Sequence, residues 1–112
     1  MEKLNQIEAF MRQMADGTSK PYDAGWAIWK IAAEGATNSH DLMWPLWLIW
    51  GALTDRFELR TGERQTVENE MIRAAGEWLA LDSGDTTSVS AYLDRWVYDE
   101  LGYEKRSKVI SN

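Results

Sequence analysis

Histidine is the side chain most often recruited for proton transfer near neutral pH, and this chain has one, His40, in the run Gly35-Ala36-Thr37-Asn38-Ser39-His40-Asp41. A hydrolytic site would need Asp41 to orient His40 and His40 to activate Ser39 or Thr37. Adjacent side chains rarely converge in that way, and no GxSxG elbow presents a serine. His40 is therefore expected in a loop or helix cap, and no catalytic residue is assigned. Among the carboxylates, Glu34, Asp41, Asp55 and Glu58 flank the tryptophan-bearing segments. They could line a pocket or hold magnesium, yet none interrupts an apolar stripe where burial would tune it, so a solvated face is expected. Asp82, Ser83 and Asp85 offer oxygens around Gly84. That segment lacks the spacing and the closing glutamate of a calcium loop and reads as a capped turn. A di-iron bundle needs a pair of Glu-x-x-His units, which one histidine cannot supply. The absence of cysteine removes thiolate and disulfide chemistry. Gly62 and Gly102 read as helix stops, not as a phosphate-binding loop. No metal or cofactor is expected.

Charge says more than any single motif. The 112 residues carry a formal net charge of -6, and the excess is uneven. Residues 1–60 hold eight acids and six bases, whereas residues 61–104 hold ten acids against three bases; Lys105, Arg106 and Lys108 follow. Most of this surface would repel a phosphate backbone, so no nucleic-acid partner is expected. The acids fall at Glu63, Glu68, Glu70 and Glu77 in one helical segment, at Asp94, Asp99 and Glu100 in the next, and at Asp82 and Asp85 in the turn between. Packed antiparallel, the two segments would gather them on one surface able to steer a basic protein partner. Glu63, Glu68, Glu70, Glu77, Asp82, Asp85, Asp94 and Asp99 are the expected partner contacts.

The elements that position these groups all read as helices. Residues 2–15 place Leu4, Ile7, Phe10, Met11 and Met14 at steps of three and four, with Gly17 as a left-handed stop. Residues 21–34 begin at Pro21, tolerated in a first turn, and carry Tyr22, Trp26, Trp29 and Ala33 on one stripe with Ile28, Ile31 and Ala32 beside it. Trp26 and Trp29 share a face, expected to pack on the following helix. That helix starts near Leu42 to Trp44 and runs to about Arg60. Between Leu42 and Leu53 it holds no charge, amide or hydroxyl, the pattern of a helix surrounded by others. Gly51 within it implies close approach of a neighbouring helix or indole, and Gly76 in the next segment, residues 63–81, implies a tight crossing. Residues 88–101 form the last helix, and residues 103–112 a frayed tail. The expected fold is all-α: one compact domain, residues 1–112, of about five helices with the tryptophan-rich third helix at its centre.

Short, acidic, cysteine-free and helical, the chain resembles in profile the immunity and antitoxin proteins, non-catalytic inhibitors that cover the basic active site of a toxin such as a nuclease. Viral anti-defence inhibitors share the profile. The alternative is a small-ligand-binding module or enzyme. Seven tryptophans exceed what a core of this size requires, and a pocket walled by Tyr22, Trp26 or Trp47, with His40 or Asp41 at its mouth, would accommodate a ligand. A homodimer burying residues 42–53 is a third reading. Residues 1–8 lack the apolar run of a signal peptide, and the central run falls short of the roughly 20 residues that span a bilayer. A cytoplasmic protein without membrane contact is expected.

Overall fold

The computed structural model describes residues 2–36, 43–81 and 85–102, and all the secondary structure among them is helical. α1 spans Glu2–Asp16, α2 Pro21–Ala36, α3 Met43–Leu59, α4 Arg64–Leu79 and α5 Thr86–Asp94. A 3-10 turn, Thr61–Glu63, leads into α4, and α5 runs straight on into a π-helical segment, Arg95–Glu100. One buried cluster draws on every helix.

Local chemistry sets the helix ends. α1 stops where Gly17 takes φ +79°, a left-handed backbone that glycine adopts without a Cβ penalty. The chain then folds back, and the Thr18 and Ser19 amides both donate to the Gln13 carbonyl at 2.9 and 3.2 Å. α2 starts at Pro21, and Pro45 lies in the first turn of α3, where a missing N–H leaves no ladder bond unmade. α5 begins two residues before the expected position because Asp85 caps it: one carboxylate oxygen accepts from the amides of Thr87 and Ser88, at 3.0 and 3.3 Å. At the far end the Leu101 amide donates to the Trp96 carbonyl at 3.0 Å, a five-residue spacing, and Gly102 at φ +82° ends the helix.

α2 and α3 form the closest pair, running antiparallel, with Gly35 against Met43 at one end and Tyr22 against Phe57 at the other. Small residues permit the approach. Ala24, Gly25, Ile28, Ala32 and Gly35 are the buried positions of α2. A Cβ at Gly25 would touch the Trp50 ring at 3.4 Å, and one at Gly35 would overlap the Met43 side chain. The expected Trp26/Trp29 stripe is therefore not the core face of α2. An indole is too large for the closest crossing, and Trp26 is 43% exposed.

On α3 the buried residues are Met43, Leu46, Ile49, Trp50, Leu53 and Thr54, covered by α2, α4 and the π-helical segment. The Thr54 hydroxyl donates to the Trp50 carbonyl at 2.8 Å, so its burial leaves no orphan. The remaining side of α3 is open, and Trp44 is 56% exposed. α1 packs on α2 and α4 through Ile7, Met11 and Met14. α4 contributes Val67, Met71, Ala74, Ala75 and Trp78. The tight crossing expected at Gly76 is not found, since a Cβ there would meet nothing within 4 Å. Among the described residues no helix is long and apolar enough to cross a membrane.

Candidate functional site

The open side of α3 and the outer stripe of α2 enclose a cleft of about 390 Å³. Trp26 and Trp29, one turn apart on α2, form one wall, and Trp47 and Leu48 of α3 the other. Gly51, Ala52, Thr54, Asp55 and Glu58 of α3 complete its lining. The indoles associate in pairs, with ring centroids 6.2 Å apart for Trp26–Trp29 and 5.0 Å for Trp44–Trp47. Gly51 is what lets Trp29 settle on α3. A Cβ at position 51 would lie 3.0 Å from its Nε1 and 3.1 Å from its Cδ1.

The acidic end is built by a second set of contacts. Tyr22 stacks on Phe57 at 4.7 Å, and its hydroxyl donates to Glu58 Oε2 at 2.6 Å. That hydrogen bond to a carboxylate holds the Tyr22 hydroxyl above its ordinary pKa. Asp55 is exposed and has no ion pair or hydrogen bond among the described residues. Its sequence neighbour Arg56 turns instead to Glu70 on α4, at 3.4 Å.

The expected partner contacts divide into two groups. Glu70 is thus paired with Arg56, Glu63 lies 3.9 Å from Arg60, and Asp85 is the cap of α5. Glu77 is the centre of a network. Its Oε1 accepts from Arg95 Nη2 at 2.6 Å and from the Trp96 indole N–H at 3.0 Å, and its Oε2 lies 3.4 Å from Arg73 Nη1. Arg73 also donates to Glu100 at 2.8 Å and places its guanidinium 4.6 Å over the Trp96 ring. Burial would push the Glu77 carboxyl up, but the hydrogen bonds from Arg95 and Trp96 and the two arginine charges outweigh it, and the net shift is downward. Glu68, Asp94 and Asp99 have no ion pair among the described residues, and Asp94 and Asp99 are exposed. Asp82 lies outside the described residues, as do Thr37, Ser39, His40 and Asp41.

The seven tryptophans divide in the same manner. Trp78 donates to Glu8 Oε2 at 2.9 Å and meets Tyr92 edge-on at 5.2 Å, while the Tyr92 hydroxyl donates to the Ala74 carbonyl at 2.8 Å. Burial pushes that hydroxyl well above its ordinary pKa. Trp50 is fully buried, and its N–H finds no partner among the described residues. The orphan donor costs about 1–3 kcal/mol, whereas removing some 200 Å² of indole from water gains roughly 5 kcal/mol, so burial wins. Trp26, Trp29, Trp44 and Trp47 are the four left at least partly in solvent around the cleft.

Of the residues named for the wall of the alternative, ligand-binding pocket, Trp26 and Trp47 line the cleft, and His40 and Asp41, named for its mouth, lie outside the described residues. Tyr22 does not line the cleft but holds Glu58. The pairing of Asp55 and Glu58 with the indoles follows from helical spacing, since residues 47, 51, 55 and 58 recur at steps of four and three along α3. Among the described residues no group of three or more His, Asp or Glu side chains is placed to hold a metal ion. Comparison with protein-family models, with curated proteins and with solved structures finds no match to this chain.

Proposed function

We propose that this chain is a non-catalytic binding protein that engages a basic protein partner, as an inhibitor of the immunity or antitoxin type would, and that the α2–α3 cleft anchors the partner. The observation that carries this reading is the cleft itself. Three indoles and two carboxylates line one concave surface of mixed polarity in a chain of net charge -6. Aromatic side chains in a depression are the usual anchors of protein interfaces, and charge around them sets the rate of encounter. Glu68, Asp94 and Asp99, which no arginine of the described chain neutralises, supply long-range steering toward a basic surface. Catalysis is not proposed: the most connected carboxylate of the described residues, Glu77, is committed to Arg73, Arg95 and Trp96.

A second reading has one observation in its favour. The cleft volume, about 390 Å³, falls within the range of roughly 300–1,000 Å³ typical of small-molecule sites. One experiment separates the two. The tagged chain is used to recover partners from its own host at low and at high salt, beside the variants Trp47→Ala and Asp55→Lys. The protein reading requires a stoichiometric basic protein that high salt weakens and that both variants lose. Recovery of nothing, or equal recovery by both variants, refutes the cleft as its anchor and turns attention to small ligands.

A further inference from the structure

We infer that the α2–α3 cleft is a receptor for a single arginine side chain of the partner, with its guanidinium stacked on the cleft indoles and its N–H edge directed to Asp55 and Glu58. The inference rests on the binding reading above and specifies the group that the cleft takes.

The chain shows elsewhere how its own guanidinium groups are held. Arg73 lies 4.6 Å over the Trp96 ring with carboxylates on both sides, Glu100 at 2.8 Å and Glu77 at 3.4 Å. Arg64 lies 4.8 Å over the Phe57 ring while its Nε donates to the Phe57 carbonyl at 3.1 Å. An aromatic face plus two carboxylates is thus the set that receives Arg73. The cleft lining holds the same kinds of group, the indoles of Trp26, Trp29 and Trp47 and the carboxylates of Asp55 and Glu58, and no cation among the described residues lines it. Lys30, which is not part of the cleft lining, already holds its ammonium 5.5 Å from the Trp26 ring, so a guanidinium at that indole must share it with Lys30 or displace it. Arg56 is occupied with Glu70.

Chemistry selects arginine over lysine. A guanidinium is flat and weakly hydrated, so it can lie against an indole and still present parallel N–H donors to a carboxylate. An ammonium is a hydrated point charge on a flexible stem and gains less from stacked faces. The binding energy divides between stacking, which a neutral isostere would retain in part, and charge, which it would lose.

The test uses the intact chain and a blocked amino acid, Nα-acetyl-arginine methylamide, followed through the indole N–H resonances, each assigned by a single Trp→Phe variant. Saturable shifts are expected for Trp26, Trp29 and Trp47, with Trp78 and Trp96 unmoved. The citrulline analogue, neutral but nearly isosteric, keeps the stacking and loses the charge and should bind more weakly than arginine, as should the lysine analogue. Asp55→Asn should weaken arginine binding by about fivefold, the scale of one solvent-exposed ion pair. Asp16→Asn, at the exposed end of α1, should leave it unchanged, with circular dichroism confirming that both variants fold. Equal binding of the citrulline or lysine analogue would overturn the assignment, as would an arginine titration that moves none of the three cleft indoles. A basic partner captured equally by the parent and by Asp55→Asn would leave the binding function standing and remove arginine from the cleft. Arginine binding by a chain that recovers no basic protein would do the reverse.

Discussion

Glu77→Gln changes one charge at the most connected side chain of α4 and little else. The amide retains one oxygen, which can still accept from the Trp96 indole and Arg95, but its NH2 then faces Arg73 Nη1, placing donor against donor. Glu77 is 31% exposed, and Arg73 and Arg95 are 43% and 42% exposed, so solvent screens much of the attraction. Hydrogen bonds to charged groups contribute about 1.5–3 kcal/mol when sheltered, and exposed ion pairs about 0.2–1 kcal/mol. A loss of about 1–2 kcal/mol near neutral pH is expected, read from urea unfolding of parent and variant.

The pH dependence of that difference is the sharper check. The folded state holds the Glu77 carboxyl below its ordinary value, so the unfolded chain takes up the proton first as pH falls. Its contribution is therefore fully present above the unfolded value of about 4.3 and is lost as pH drops through the lower folded value. The stability gap between parent and variant should be flat from pH 7 to about 5 and should close below about 4. Glu100, held low by its hydrogen bond from Arg73, and Asp85, held low by Ser88, titrate in both proteins and largely cancel in the difference. A gap below about 0.3 kcal/mol at pH 7, or one that does not change with pH, would refute the network as a stabilising element.

Two glycines should respond to alanine with different results. Gly76→Ala adds a methyl into open space within α4 and should stabilise by up to about 1 kcal/mol, some 4 °C in Tm. Gly51→Ala gains the same helix propensity but pushes the Trp29 indole, 3.0 Å away, and should fall short of Gly76→Ala by about 1 kcal/mol while shifting Trp29 emission. Equal stabilisation by both, in thermal melts, would mean that Trp29 does not rest on Gly51. Asp85→Ala removes the carboxylate that accepts from two amides at the start of α5 and should cost about 1 kcal/mol, with helical ellipticity falling. No change would mean that the start of α5 is held by packing alone.

Helical periodicity made the α-class and the five helices legible, but not the exposure of α3: its apolar run, residues 42–53, reads as surrounded on all sides, whereas Trp44 stands 56% exposed and α2 packs on α1, α3 and α4. The face of α2 was not legible either. Two apolar stripes lie side by side on it, and the heavier one, with Tyr22, Trp26 and Trp29, attracts a burial reading on hydrophobicity alone. Close packing favours the lighter stripe, since Ala24, Gly25, Ala32 and Gly35 allow α3 within reach where an indole would hold it off. Ala24, Ile28 and Ala32 at steps of four, with Gly25 and Gly35 beside them, were the available signal. The fate of the acids was less legible still. Nothing in the spacing of Glu77 shows that Arg95, eighteen positions later, will close on it, because ion pairs across helices depend on crossing geometry that a linear pattern does not contain.

That division of side chains bears on what the cleft is for. Glycine inside a helix costs about 1 kcal/mol relative to alanine, and Gly51 is unremarkable in every respect except that Trp29 occupies the place its methyl would take. A chain shaped for stability alone would carry alanine at 51 and a smaller side chain at 29, and would keep Trp26 and Trp44 out of water. Here the indoles that serve the core are already provided: Trp50 is fully buried, and Trp78 and Trp96 are tied to Glu8 and Glu77. Of the other four, Trp29 and Trp47 pack against the core with part of their surface in solvent, and Trp26 and Trp44 are exposed, all on two facing helices. The exposed indoles of Trp26 and Trp44 are what the proposed binding surface would bury against another molecule, and on that proposal Asp55, without a cation among the described residues, would meet the charge that molecule brings.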